Sequence, residues 1–123
     1  MPLELSLDEP GRWEVAVFAS AERTHFVEII DGLEATVVGF AGAGENETLG
    51  RTEILHEGAA ANPYRVTVRS QREDGTWAES LYRASFDDDA NRHVIETDDS
   101  HGDSPSEDYN DCTIHIWQSP KLV

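Results

Sequence analysis

The sequence predicts an all-β fold: a single-domain antiparallel β-sandwich of about nine short strands. Apolar and polar residues alternate in short runs, turn-forming pairs separate those runs at regular intervals, and no segment carries the helical spacing that a crossover between parallel strands requires. A chain of 123 residues suits one domain, taken as residues 1–123, with a hydrophobic core of its own.

Taken in order, Arg12 to Phe18 places Trp13, Val15 and Val17 on one face and Arg12 and Glu14 on the other. Phe26 to Ile30, Ala35 to Phe40 and Thr52 to Leu55 are further β-rich runs. Tyr64 to Arg69 turns Tyr64, Val66 and Val68 inward and leaves Arg65, Thr67 and Arg69 to water. Ala78 to Phe86 puts Ala78, Ser80, Tyr82, Ala84 and Phe86 on one side, and Arg92 to Glu96 and Thr113 to Trp117 complete the set. Turn chemistry lies between them at Asp8 to Gly11, Asp31-Gly32, Gly42 to Gly44, Asn62-Pro63, Asp74-Gly75 and Asp87 to Asn91. Asp31-Gly32 and Asp74-Gly75 suit hairpins, because glycine tolerates a positive φ and an aspartate carboxylate can bond the local backbone. Ala59 to Ala61 is too short for a helix and is stopped by Asn62-Pro63. Gly39 to Gly50 lacks the spacing and lysine of a phosphate loop and carries Glu45 and Glu47, so it reads as a flexible strand connection.

A net charge of −16, with Lys121 the only lysine, repels phosphate backbones and anionic lipid. Nucleic acid is thereby excluded as a partner, and no apolar run is long enough for membrane insertion. The opening residues lack a basic and then apolar leader, so the expectation is a cytoplasmic protein or one exported by a non-classical route. Cys112 stands alone, so no disulfide forms within the chain; it reads as a packing residue at a strand start. Trp13, Trp77 and Trp117 read as core or interface residues, an exposed one being able to stack on a sugar.

The chemistry concentrates in the segment before the last strand. Asp98, Asp99, Asp103, Glu107, Asp108, Asn110 and Asp111 occur with no Lys or Arg among them. Calcium takes roughly six to eight oxygen ligands in a flexible geometry. In Asp108 to Asp111 the side chains of Asp108, Asn110 and Asp111 supply three of that type, while Tyr109 can turn away to pack. Asp98, Asp103, Asp108 and Asp111 carry four negative charges, which two calcium ions would balance. A solvated acidic loop is the plainer alternative. Asp87, Asp89 and Asn91 imitate the start of an EF-hand loop, but Arg92 replaces its obligatory glycine and a strand follows, so an Asp-rich β-turn is the better account. Asn46 to Thr48 fits a glycosylation sequon that matters only on a eukaryotic secretory route. His101 or His115 could be paired with an acid and a serine, but no nucleophile-elbow pattern accompanies them. A polar acidic loop also cannot hold a carboxylic acid protonated for glycoside hydrolysis, so no catalytic step is expected.

Two regions resemble the bacterial calcium-dependent soluble lectins that bind fucose and mannose. Arg12 to Ser20, running on through Thr24 and Val27 to Gly50 to Glu53, resembles the family's N-terminal half. Asp108 to Asp111, followed by Ile114, Ile116 and Trp117, resembles its calcium loop and last strand. The resemblance implies a small antiparallel β-sandwich in which bound calcium, one or two ions, coordinates sugar hydroxyls. It implies that Asp108 and Asp111 bridge the ions, that Asn110 serves one, and that Asp98 and Asp103 complete the set. It places Asp99 where a family acid helps hold the sugar, Ala21, Glu22 and Arg23 in the loop that tunes sugar choice, and Ser20 where the family has an Asn ligand. The chain departs from the family at Ser20, at an insertion covering His101 to Ser106, and at a C-terminus that runs past Trp117 to Val123.

The expected function is therefore a calcium-dependent lectin for fucose- or mannose-like glycans, acting as a homo-oligomer (a dimer or higher). The alternatives are a calcium-stabilised β-sandwich that binds protein without sugar, and an acidic inhibitor or immunity protein that masks a basic partner.

Overall fold

The computed structural model describes residues 3–7, 9–71, 74–79, 81–89, 92–98 and 112–118, and of residues 20–23, 43–47, 81 and 98 the backbone alone. Eight strands and one 3₁₀ turn occur among them: β1 Leu3–Leu5, β2 Gly11–Ile30, β3 Thr36–His56, the turn Ala59–Ala61, β4 Tyr64–Gln71, β5 Trp77–Glu79, β6 Leu81–Asp87, β7 Arg92–Asp98 and β8 Cys112–Gln118. All pairings are antiparallel, in the order β1-β4-β2-β8-β7-β6, with β3 beside β2 and β5 beside β4.

The sandwich is built by one long hairpin. The first half of β2 pairs with β8 through Trp13↔Gln118 to Ala19↔Cys112, and its second half pairs with β4 through His25↔Ser70 to Ile30↔Arg65. β3 follows β2 through both halves, with register shifts between Val17 and His25. Arg12 to Phe18 and Phe26 to Ile30, expected as separate strands, are thus one strand that passes from layer to layer. Ala35 to Phe40 and Thr52 to Leu55 are likewise joined within β3. Gly39 to Gly50, expected as a flexible connection, is strand: Gly42 and Gly44 lie opposite the irregular part of β2, where a bent pair needs backbone without side chains in the way. At Gly50 a Cβ would stand 2.5 Å from the Phe40 ring, so the residue leaves room for an aromatic from the other half of the same strand.

The core joins both layers in one cluster. Trp13, Val15 and Val17 of β2 meet Val27 and Ile29 of its second half, Tyr64, Val66 and Val68 of β4, Ile95 of β7, and Cys112, Ile114 and Ile116 of β8. The alternation expected for Arg12 to Phe18 and for Tyr64 to Arg69 is the one observed, and each large apolar side chain so buried stabilises by about 1.5–3 kcal/mol. Trp13 is fully buried and donates from Nε1 to the Glu9 carbonyl at 2.9 Å. Asn62 ties the N-terminal segment down by accepting from the Leu7 amide at 3.0 Å and donating to the Leu7 carbonyl at 2.9 Å.

Two details differ from expectation. In the β2–β3 turn the Asp31 carboxylate accepts from the Leu33 and Ala35 amides as foreseen, but the positive φ of 67° falls on Glu34. Gly32 is required instead for close approach, since a Cβ there would lie 2.5 Å from the Asn62 carbonyl oxygen. In the run Ala78 to Phe86, Tyr82 and Phe86 point to the core side yet stay exposed. β6 is the outermost strand of its path, paired on one side alone to β7 among the described residues. The second hairpin glycine behaves as expected: Gly75 has φ 88°, with Asp74 accepting from the Thr76 amide at 2.9 Å. No helix among the described residues is long and apolar enough to cross a membrane.

Candidate functional site

Register brings three strands level at one end of the sheet. Cys112, the first residue of β8, pairs with Ala19 of β2 on one side and with Thr97 of β7 on the other. Because the strands are antiparallel, the chain leaves this end through Ser20 on β2, through Asp98 on β7, and through the residue before Cys112 on β8. The level is pinned from inside. Thr97, Cys112 and Ala19 are all buried, and Thr97 Oγ1 donates to the Cys112 carbonyl at 2.8 Å.

The backbone of Ser20, Ala21, Glu22 and Arg23 continues β2 just past this end, in the part of the strand with shifted register, where Ala21 pairs with Gly44. Asp98 is the last residue of β7 and pairs with Leu81. Asp99, Asp103, Asp108, Asn110 and Asp111 lie outside the described residues. The residues on either side of that segment, Asp98 and Cys112, belong to neighbouring strands at the same sheet end. Among the described residues no group of three His, Cys, Asp or Glu side chains is gathered as a metal cage. The donor chemistry of the segment suits a hard cation: its acids and amide are oxygen donors, and Cys112, the one soft donor beside it in sequence, is buried in the core cluster.

The Asp-rich turn after β6 is a turn, with the Asp89 amide donating to Asp87 Oδ1 at 3.1 Å and strand β7 beginning at Arg92. Cys112 is a core packing residue as expected. Trp13 is core, while Trp77 is exposed on the short strand β5.

A second concavity was not foreseen from the sequence. On the outer face of β3-β2-β8-β7 a cavity of about 340 Å³ is lined by Ala16, Phe18, Arg51, Arg92, His115 and Trp117. Arg51 and Arg92 place their guanidinium carbons 5.5 and 5.2 Å from the Trp117 ring centroid, and Phe18 meets the His115 ring edge-on at 5.6 Å. Burial, and then the Arg92 charge, push the His115 pKa below its ordinary value, with Glu96 opposing. Arg51, Arg92, His115 and Trp117 are far apart in the sequence, and only strand order and register show that they are neighbours.

The family described as Fucose-binding lectin II (PA-IIL) matches residues 5–119. Three solved structures share the fold. A high-affinity mannose-binding lectin of Ralstonia solanacearum is 17% identical with a TM-score of 0.69, the match covering 95% of this chain and 96% of that one. A Chromobacterium violaceum lectin, solved with alpha-methyl-fucoside, is 21% identical with a TM-score of 0.69 over 95% and 96% of the two chains. The C-terminal domain of a Burkholderia cenocepacia lectin is 20% identical with a TM-score of 0.68, covering 98% of this chain and 100% of that one. Among curated proteins none matches significantly in sequence.

Proposed function

The chain belongs to the Fucose-binding lectin II family, whose members bind carbohydrate and carry out no catalytic step, and from that premise we propose a calcium-dependent lectin for fucose- and mannose-type sugars. The observation that carries the proposal is the sheet end at which Ala19, Cys112 and Thr97 stand level. Every residue expected at the site either continues a strand past that end or belongs to the segment tethered there at both of its ends.

In this reading Asp108, Asn110 and Asp111, with Asp98 and Asp103, hold one or two calcium ions. Calcium would supply a positive centre at which vicinal sugar hydroxyls replace water. The chain's own residues do the rest. Asp99 and Glu22 accept hydrogen bonds from the sugar, Ser20, Ala21 and Arg23 shape the wall beside it, and the Thr97 to Cys112 bond keeps the two ends of the acidic segment together. Ser20 offers a shorter donor than the amide of the family pattern.

Calorimetry on metal-stripped protein tests the first half: calcium should give heat and a thermal shift, and silence at millimolar calcium would overturn the reading. Asp108→Asn and Asp111→Asn should each weaken calcium binding by about tenfold or more while leaving the β-sheet circular dichroism intact. A glycan array tests the second half, with binding expected in calcium and lost in chelator; equal binding in both sinks the mechanism. Sugar binding should also fade as pH drops towards about 4, because the ligand carboxylates must be ionised. The protein is further proposed to be a homo-oligomer, which sedimentation would reveal as a mass above the 13.7 kDa of one chain.

A further inference from the structure

We propose that the concavity on the outer face of β3-β2-β8-β7 is a second binding site, separate from the calcium end, for a single oxyanion group carried on a sugar-sized ring.

The floor is Ala16, which is nearly fully buried and small; it lies directly between Arg51 on β3 and His115 on β8. One residue pair further along, Trp117 stands between Glu14 on β2 and Arg92 on β7. A chain of net charge −16 thus gathers two guanidinium groups and an imidazole around one cavity of about 340 Å³.

Two of the donors there lack acceptors. Arg92 Nε and His115 Nδ1 are buried and have no hydrogen-bond partner among the described residues. A buried donor left unpaired is unfavourable, and an acceptor-only group entering from solvent would relieve both when His115 carries its proton on Nδ1. The neighbouring acids do not serve. Glu14 is 3.9 Å from Arg51, beyond hydrogen-bond range, and both Glu96 carboxylate oxygens are taken by Arg83 at 3.3 Å.

The guanidinium fork matches the planar acceptors of a carboxylate and the oxygens of a sulfate equally well. The half-exposed Phe18 and the Trp117 ring add apolar faces that a bare ion would not use and a saccharide ring can. The surrounding negative field disfavours a polyanion, so one anionic group per ligand is the chemistry that fits.

The probes are sodium glucuronate and glucose 6-sulfate, titrated into the full chain in chelator at constant ionic strength, with the His115 imidazole and Trp117 indole resonances followed by NMR. At least one probe should give saturable shifts and a raised His115 pKa, and the tighter of the two identifies the anionic group. Glucose and sodium chloride should give neither. Arg51→Gln, at a largely exposed side chain, and Arg92→Gln should each weaken binding by about tenfold. The proposal is overturned if neither probe saturates, if glucose does as well, or if both variants bind as the parent does. Because chelator removes calcium, a failure here leaves the calcium-dependent reading standing, and the reverse also holds.

Discussion

Tyr64 joins the polar and apolar sides of the core in a single residue. Its ring belongs to the buried cluster and its hydroxyl is 2.9 Å from His56 Nδ1. Tyr64→Phe keeps the packing and strands a buried imidazole nitrogen, so chemical denaturation should show a loss of about 1–3 kcal/mol. Burial, and then the Asp31 charge, also raise the Tyr64 pKa above 10.0. The folded state therefore holds this proton more tightly than the unfolded chain does. Its contribution is complete below about pH 10 and is lost as pH rises through the folded value, a loss that Tyr64→Phe should abolish in melting curves. His115 has the opposite sign. Its folded pKa lies below 6.5, so its contribution is complete above about pH 6.5 and is lost as pH falls through the folded value. His115→Gln should flatten that acid limb. Burial is the largest cause of the shift, and the two charges that modify it, Arg92 in the same direction and Glu96 against it, come from a neighbouring strand, which is why no sequence window around His115 announces it.

At the scale of elements, the candidate calcium end depends on two strands keeping level. Thr97→Val removes the donor to the Cys112 carbonyl at nearly constant shape. Loss of that one hydrogen bond should cost about 0.5–1.5 kcal/mol of stability. It should also weaken calcium binding in calorimetry although the new side chain would touch no ion, whereas Val66→Ile, remote from this end, should alter stability alone. Much of the element plan was legible. Period-two alternation located the inner faces of the first half of β2 and of β4, because a buried face must be apolar at every second residue. Lengths were not, since Ser20 to Thr24 and Ala41 to Gly50 interrupt the alternation where β2 and β3 bend, and a bent strand looks in sequence like two strands and a loop.

For the molecule as a whole, 25 acidic residues against nine basic ones make self-repulsion a standing cost of compactness. Raising NaCl from about 10 to about 300 mM shortens the screening length several-fold and should raise Tm by about 4–8 °C, corresponding to about 1 kcal/mol. Calcium should add a further rise at constant ionic strength that magnesium does not match, because magnesium demands a tight octahedron and keeps several of its waters, whereas calcium accepts more oxygen ligands in a variable geometry. If calcium and magnesium stabilise equally, the effect is screening and no cage is involved. The two proposed binding regions have opposite electrostatics, one acidic and drawn largely from a single stretch of chain, the other basic and lined from four strands.

The sequence by itself determined the fold class, the inner faces, the oxygen-donor chemistry of Asp98 to Asp111 and the family, because each is written in neighbouring or evenly spaced residues. Only the tertiary structure decided that β2 and β3 each serve both layers, that Ala19, Thr97 and Cys112 stand level, and that Arg51, Arg92 and His115 surround one cavity. The physical reason is that strand order and register are set by long-range pairing and shared burial, which bring together residues from distant parts of the chain.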